Sequence, residues 1–193
     1  MQRVLQSEHF DAVVSCMASR SGRPSDAWAI DHDAHLNILN AASQGGVKQF
    51  VLLSAICVQK PRLAFQHAKL TFERALMDSG LVYSIVRPTA YFKSLSGQIE
   101  RLRQGKPFWV FGDGRLTSCK PISDADLASY LADCLEQAQL RNRILPIGGP
   151  GEAITPLQQA QILFGLLGRP MRVRRVPVAL MDGVIAGLGL AAR

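Results

Sequence analysis

The sequence predicts an α/β protein: a parallel sheet with helices on both faces, followed by a smaller α+β lid. Three observations carry this. The first half alternates short, continuously apolar runs with stretches of helical period, as βαβ crossovers with doubly buried strands require. Those runs have strand length, and Gly45-Gly46 precedes the second while Gly80 and Pro88 flank the third. After Pro88 the pattern changes to shorter strands closed by Gly112-Asp113-Gly114 and by the run Gly148-Gly149-Pro150-Gly151.

The elements follow in order. Residues 11–15 (DAVVS) read as a buried strand. Residues 31–44 place Leu36, Ile38, Leu39 and Ala42 at roughly helical spacing, and Gly45-Gly46 stops that helix. A second strand covers residues 49–54, and a helix over 66–79 turns Leu70, Ala75 and Leu76 inward until Gly80. Residues 82–86 form a third strand, ended by Arg87-Pro88. In the second half, residues 108–111 are a short strand, and Ser123 caps a helix to about residue 137 with Asp124 and Asp126 in its first turn. Residues 144–147 are another strand, and Thr155-Pro156 opens a helix that runs to Leu167. A basic strand over 171–176 and a last helix after Pro177 complete the chain. The expected division is 1–90 for the sheet domain and 91–193 for a substrate-binding lid interleaved with the last sheet strands.

Composition narrows the function classes. With 193 residues, 48% hydrophobic and 19% charged, the chain can bury a core, which excludes a disordered protein. Lys plus Arg is 22 against 15 Asp plus Glu, a net charge of +7. That excess suits an anionic small molecule, a nucleic acid or an acidic membrane surface equally well. Aromatics are only 7% and form no interleaved basic-aromatic stripe, so no nucleic-acid partner is expected. Cys16, Cys57, Cys119 and Cys134 contain no C-x-x-C pair, and each sits in or beside an apolar run, as buried thiols in a reducing compartment would. The opening MQRVLQSEHF is not a secretory leader, and Pro177, Asp182 and several glycines break the apolar stretch 176–192. A soluble, cytoplasmic chain is expected.

Ser54, at a strand end, and Phe65-x-x-x-Lys69 resemble the Ser plus Tyr-x-x-x-Lys constellation of short-chain dehydrogenases. One helical turn puts Lys69 on the face of residue 65. Phe65 has no proton to give.

Longer strings sharpen the resemblance. Residues 50–61 (FVLLSAICVQKP), Phe65-Gln-x-Ala-Lys69, residues 83–90 (YSIVRPTA), Phe92-Lys-Ser94, residues 111–114 (FGDG), 119–123 (CKPIS) and 145–151 (LPIGGPG) are similar to the divinyl chlorophyllide a 8-vinyl-reductases. These are NADPH-dependent, atypical short-chain dehydrogenases close to the NmrA-like enzymes. The similarity runs over nearly the whole chain, and in that family a phenylalanine at position 65 is the expected residue.

The resemblance implies a partial NAD(P)-binding Rossmann-like sheet and reduction of the 8-vinyl group of a magnesium tetrapyrrole to ethyl, within chlorophyll biosynthesis. Hydride adding to the outer vinyl carbon would place negative charge where the macrocycle delocalises it. No alkoxide forms, so no tyrosine acid is needed. It implies Lys69 and Ser54 as catalytic residues. The cofactor would be held by Ser15, Cys16, Ala18, Ser54, Lys69, Arg87, Pro88 and Thr89 at the strand ends. Cys57, Lys60, Tyr91, Lys93, Trp109 and Lys120 would meet the substrate, the lysines its carboxylate. The family's pyrophosphate-binding glycines precede this segment, and no G-x-G-x-x-G occurs here, so the chain by itself is expected to bind NADPH poorly.

His32 and His35, beside Asp31 and Asp33, read as a solvated helix face rather than a metal site. Arg169, Arg172, Arg174 and Arg175 read as an exposed strand face, drawn to the anionic photosynthetic membrane where the pigment lives. Two other classes stay open: an NmrA-like sensor that binds NADP without turnover, and a non-catalytic pigment carrier. The sequence sets no oligomeric state.

Overall fold

The computed structural model describes residues 8–180. They cluster into two units, residues 8–89 with 122–148, and residues 90–121 with 149–180.

The first unit is built on a four-stranded sheet of β1 (Ala12–Ser15), β2 (Gln49–Leu53), β3 (Val82–Pro88) and β5 (Arg143–Ile147), in the order β1-β2-β3-β5. Every neighbouring pair is parallel, with Val13 opposite Phe50, Phe50 opposite Tyr83, and Ser84 opposite Arg143. Because successive side chains alternate faces, Phe50, Leu52 and Ile85 share one side of the sheet. There they meet Leu39 of α2 (His35–Gln44) and Phe72 and Leu76 of α3 (Ala64–Met77) in one buried cluster. Phe72 is the residue the spacing did not single out; its ring packs 5.9 Å from that of Phe50. On the opposite side lies α6 (Asp124–Glu136) with buried Leu127, Leu131 and Cys134. Gln49 donates from Nε2 to the Cys134 carbonyl at 2.6 Å, and Ser84 donates to the Leu140 carbonyl at 2.9 Å.

Local chemistry explains the boundaries. Ser123 is the expected N-cap, its Oγ accepting from the Asp126 amide at 3.0 Å. At the start of α3, Gln66 Oε1 accepts from the amides of Arg62 and Leu63 at 2.7 and 2.9 Å. Asn142 takes a left-handed conformation (φ 52°), which asparagine tolerates, and pairs with Tyr83 through both backbone and side chain to lead into β5.

The helix expected from residue 31 begins earlier. It opens at α1 (Pro24–Ala27), with Pro24 at its first turn, and continues as a wider π-helical stretch, Trp28–Ala34, into α2. His35 Nδ1 meets the Ile30 carbonyl, five residues back, at 2.8 Å. The wider turn aims Asp31 inward, and such insertions recur at functional sites.

The second unit carries a two-stranded parallel sheet of β4 (Phe108–Phe111) and β6 (Val173–Val176), with α4 (Phe92–Leu95), α5 (Ile99–Arg103) and α7 (Pro156–Leu166). Leu102, Phe108, Val110, Ala160 and Phe164 form its core. Thr155 caps α7, accepting from the Gln158 amide at 3.3 Å while Gln158 reaches back to the Thr155 amide at 2.9 Å. Gly114 sits at φ +78°, with Val110 and Leu157 side chains 3.1 Å from where a Cβ would stand, so the turn after β4 needs glycine. Gln98 closes the edge of β4: its amide accepts from Trp109 N–H at 2.7 Å and donates to the Trp109 carbonyl at 3.0 Å.

β6 starts at Val173, not 171, and Arg169 lies outside the strand, donating to the Leu102 and Arg103 carbonyls at 2.8 and 2.9 Å, where it satisfies the end of α5. Of the cysteines, Cys134 is buried and Cys119 half-buried, but Cys16 and Cys57 are exposed because both stand where the chain leaves the sheet. Of the helix expected after Pro177, residues 178–180 are helical, and the remainder lies outside the described residues. No helix among the described residues is long and apolar enough to cross a membrane.

Candidate active site

The carboxyl ends of β1, β2 and β3 are where ligands bind in open parallel sheets. Two buried carboxylates organise this edge in the first unit. Lys69 and Glu73 lie four residues apart on α3 and so share a face. Lys69 Nζ is 2.9 Å from Asp31 Oδ1, and both side chains are buried. Ser19 completes this group, its hydroxyl donating to Asp31 Oδ2 at 2.5 Å. Glu73, 1% exposed, accepts from the Ser54 hydroxyl at 2.5 Å, from Arg87 Nε at 3.2 Å, and from Arg87 Nη2. Each carboxylate is thus matched by one cation and one hydroxyl, the condition under which buried charge is tolerated.

This geometry overturns the solvated-face reading of residues 31–35. Asp33 does stay outward, and His32 beside it at 2.7 Å is half-buried, but Asp31 and His35 are each 1% exposed. The π-helical stretch turns them in. The His35 ring packs 4.8 Å from Phe72, its Nε2 is buried without a partner among the described residues, and burial pulls its pKa below the ordinary histidine value. Asp31, Glu73 and His35 were not singled out as site residues from the sequence. The spacing of Glu73 from Lys69 was the available signal.

The remaining cofactor candidates all lie in the first unit: Ser15 buried at the end of β1, Cys16 and Ala18 exposed beyond it, Arg87 and buried Pro88 ending β3, and Thr89 donating its amide to the Ile147 carbonyl at 2.9 Å. The substrate candidates divide. Cys57 and Lys60 are exposed in and after the 3₁₀ turn Ile56–Gln59 of the first unit. Tyr91, Lys93, Trp109 and Lys120 belong to the second. Within that unit Lys93 borders a groove of about 450 Å³ with Phe92, Ile99, Ile162 and Leu166. Trp109 borders a different groove of about 440 Å³ with Phe111, Leu116 and Val178. Cys134 is buried, and that burial pushes its thiol up.

Sheet and site define a nucleotide-binding protein of the doubly wound kind. Residues 3–138 match the family model described as NAD(P)H-binding, and the chain belongs to that family. Two plant proteins named divinyl chlorophyllide a 8-vinyl-reductase, chloroplastic, are similar to it. That of Arabidopsis thaliana is 55% identical over 95% of this chain and 45% of its own length, and that of Cucumis sativus 56% over 92% and 44%. The chain therefore spans a little under half the length of these relatives. A photosystem II assembly factor of Synechocystis is 22% identical over 90% of the chain and 53% of its own length. Among solved structures, an NADPH-complexed quinone oxidoreductase of Escherichia coli shares the fold with a TM-score of 0.75 at 21% identity, covering 98% of this chain and 64% of that one.

Proposed function

We propose that this chain serves an NADPH-dependent reductase that converts the 8-vinyl group of a divinyl chlorophyllide-type pigment to ethyl. The observation that carries the reading is the absence of an oxyanion acid from the expected place. Position 65 is phenylalanine, and the Ser54 hydroxyl is spent on Glu73. That suits reduction of a carbon–carbon double bond, whose negative charge the macrocycle takes up, and not reduction of a ketone. The relatives named for this reaction, at 52–56% identity, support it.

The residues fit the ribose side of a nicotinamide nucleotide. An ammonium has three N–H groups and Asp31 takes one of those on Lys69, which leaves donors for ribose hydroxyls. NADPH, when bound, supplies the hydride. Asp31 and Ser19 hold Lys69 in place, and Glu73 holds Arg87 beside the end of β3. The plant relatives carry the name chloroplastic, so the cytoplasmic location gains no support from them. We infer peripheral placement at a photosynthetic membrane, consistent with the photosystem assembly relative.

The test is conversion of divinyl to monovinyl chlorophyllide with NADPH, followed by absorption, for the chain alone and for the chain with a Gly-rich βαβ unit fused ahead of it. Conversion by the fused protein, lost on the order of a hundredfold in Lys69→Ala and not raised in Phe65→Tyr, supports the reading. No conversion by either protein overturns it. NADPH binding without conversion would assign a sensor, and pigment binding without NADPH a carrier.

A further inference from the structure

We infer that Arg101, Trp109 and Arg174 form a subsite for a carboxylate carried on a flat conjugated ring. The identity of that ring rests on the pigment reading above; the subsite itself rests on geometry within the second unit.

On β4, Phe108 and Val110 turn into the core, while Trp109 and Phe111 face outward, 45% and 51% exposed. The parallel register sets Trp109 opposite Arg174, so both project from one face of the sheet. Arg101, reaching from α5, lies with its Cζ 4.7 Å from the Trp109 ring centroid, and Arg174 lies at 5.8 Å. The chain shows no basic-aromatic stripe in sequence, but the fold assembles one here from residues as far apart as 101 and 174.

A guanidinium stacked on an aromatic ring keeps its in-plane N–H groups free for a carboxylate. Among the described residues the side chain of neither Arg101 nor Arg174 makes a hydrogen bond or ion pair, and Nε of Arg101 is buried and unsatisfied. The unit offers little counter-charge. Its described acids are Glu100, Asp113 and Glu152; Glu100 faces Arg103 at 3.9 Å, and Asp113 accepts the Arg115 amide at 2.8 Å. Two cations on one ring repel each other, and a bidentate anion relieves both. The groove that Trp109 borders is lined by Phe111, Leu116 and Val178. That lining favours an apolar plane with one anionic arm over a polyphosphate. These arginines, rather than Lys93 and Lys120, then hold the substrate's carboxylate.

Titration of the full chain with chlorophyllide a and with its methyl ester isolates the carboxylate. The wild type should bind the free acid about ten- to a hundredfold more tightly than the ester, the range of charge-assisted pairs. Arg101→Gln with Arg174→Gln should remove that preference and leave ester affinity unchanged, which also reports an intact fold. Trp109→Ala should weaken both pigments equally. The proposal is overturned if the wild type binds acid and ester alike or binds neither. It is also overturned if the preference survives in the double variant, or vanishes instead in Lys93→Met or Lys120→Met. A loss of NADPH affinity in the arginine variants would assign the cations to nucleotide phosphates and overturn it as well. Vinyl reduction is scored separately, so failure of the enzyme reading leaves this measurement decisive.

Discussion

Among the described residues, ten Lys and Arg stand against eleven Asp and Glu in the first unit, whereas in the second ten stand against three. The near-neutral unit puts charge inside, as the Lys69–Asp31 and Arg87–Glu73 pairs under the sheet edge. The basic unit, at +7, leaves its cations outward, with Arg101 and Arg174 stacked on Trp109. Large exposed apolar side chains follow the same division: Val14, Trp28, Leu63 and Ile144 in the first unit, but nine in the second, among them Phe92, Trp109, Phe111, Ile162 and Leu166. Buried, mutually satisfied charge fixes side chains in place, which is what a cofactor's ribose and nicotinamide require of a scaffold. Uncompensated cations beside exposed apolar surface are left over by folding, and a ligand can use them.

The largest effect should come from breaking an internal pair. Glu73→Ala strands the Arg87 guanidinium and the Ser54 hydroxyl in a buried setting and should cost about 3–5 kcal/mol in urea unfolding. The double variant Glu73→Leu with Arg87→Met should recover most of that loss. Equal losses in the single and double variants would mean the pair is not the cause. In the second unit apolar packing dominates, so Leu102→Ala should cost about 2–5 kcal/mol in the same assay, with no rescue by changing nearby charges.

Acid sharpens the contrast further. His35 has a folded pKa held below its unfolded value of about 6.5, chiefly by burial. Its contribution is therefore fully present above that value and is lost as pH falls below it, because the unfolded chain then binds the proton more readily. The slope is at most about 1.4 kcal/mol per pH unit, and His35→Leu should flatten it. An unchanged acid limb in that variant would place the sensitivity elsewhere. Smallest are the caps: Ser123→Ala in one unit and Thr155→Ala in the other should each cost about 1 kcal/mol, measurable by thermal unfolding.

Some features were legible because they depend on neighbours in sequence. QFVLL is buried along most of its length because a parallel strand covered on both faces is apolar throughout, whereas DAVVS, expected to be buried, is the outermost strand of the sheet and leaves Val14 exposed; the Ser123 and Thr155 caps are visible because a cap acts on an amide three residues away. The Ser54 and Phe65-x-x-x-Lys69 pattern was readable for the same reason, being one strand end and one helical turn.

What the sequence by itself determined was therefore the α/β class, the strand and helix order, and the helix face carrying Lys69. Which groups that face would meet was decided only in three dimensions. Asp31 reaches Lys69 across 38 residues because a π-helical insertion rotates it out of the solvated stripe that a regular 3.6-residue period assigns it. Glu73 has no local partner in sequence, and only the placement of β2 and β3 brings Ser54 and Arg87 to its carboxylate. Arg101, Trp109 and Arg174 share no local pattern, and only the parallel pairing of β4 with β6 makes them neighbours. Burial, charge pairing and cation–π stacking depend on distance in space, whereas periodicity records distance along the chain.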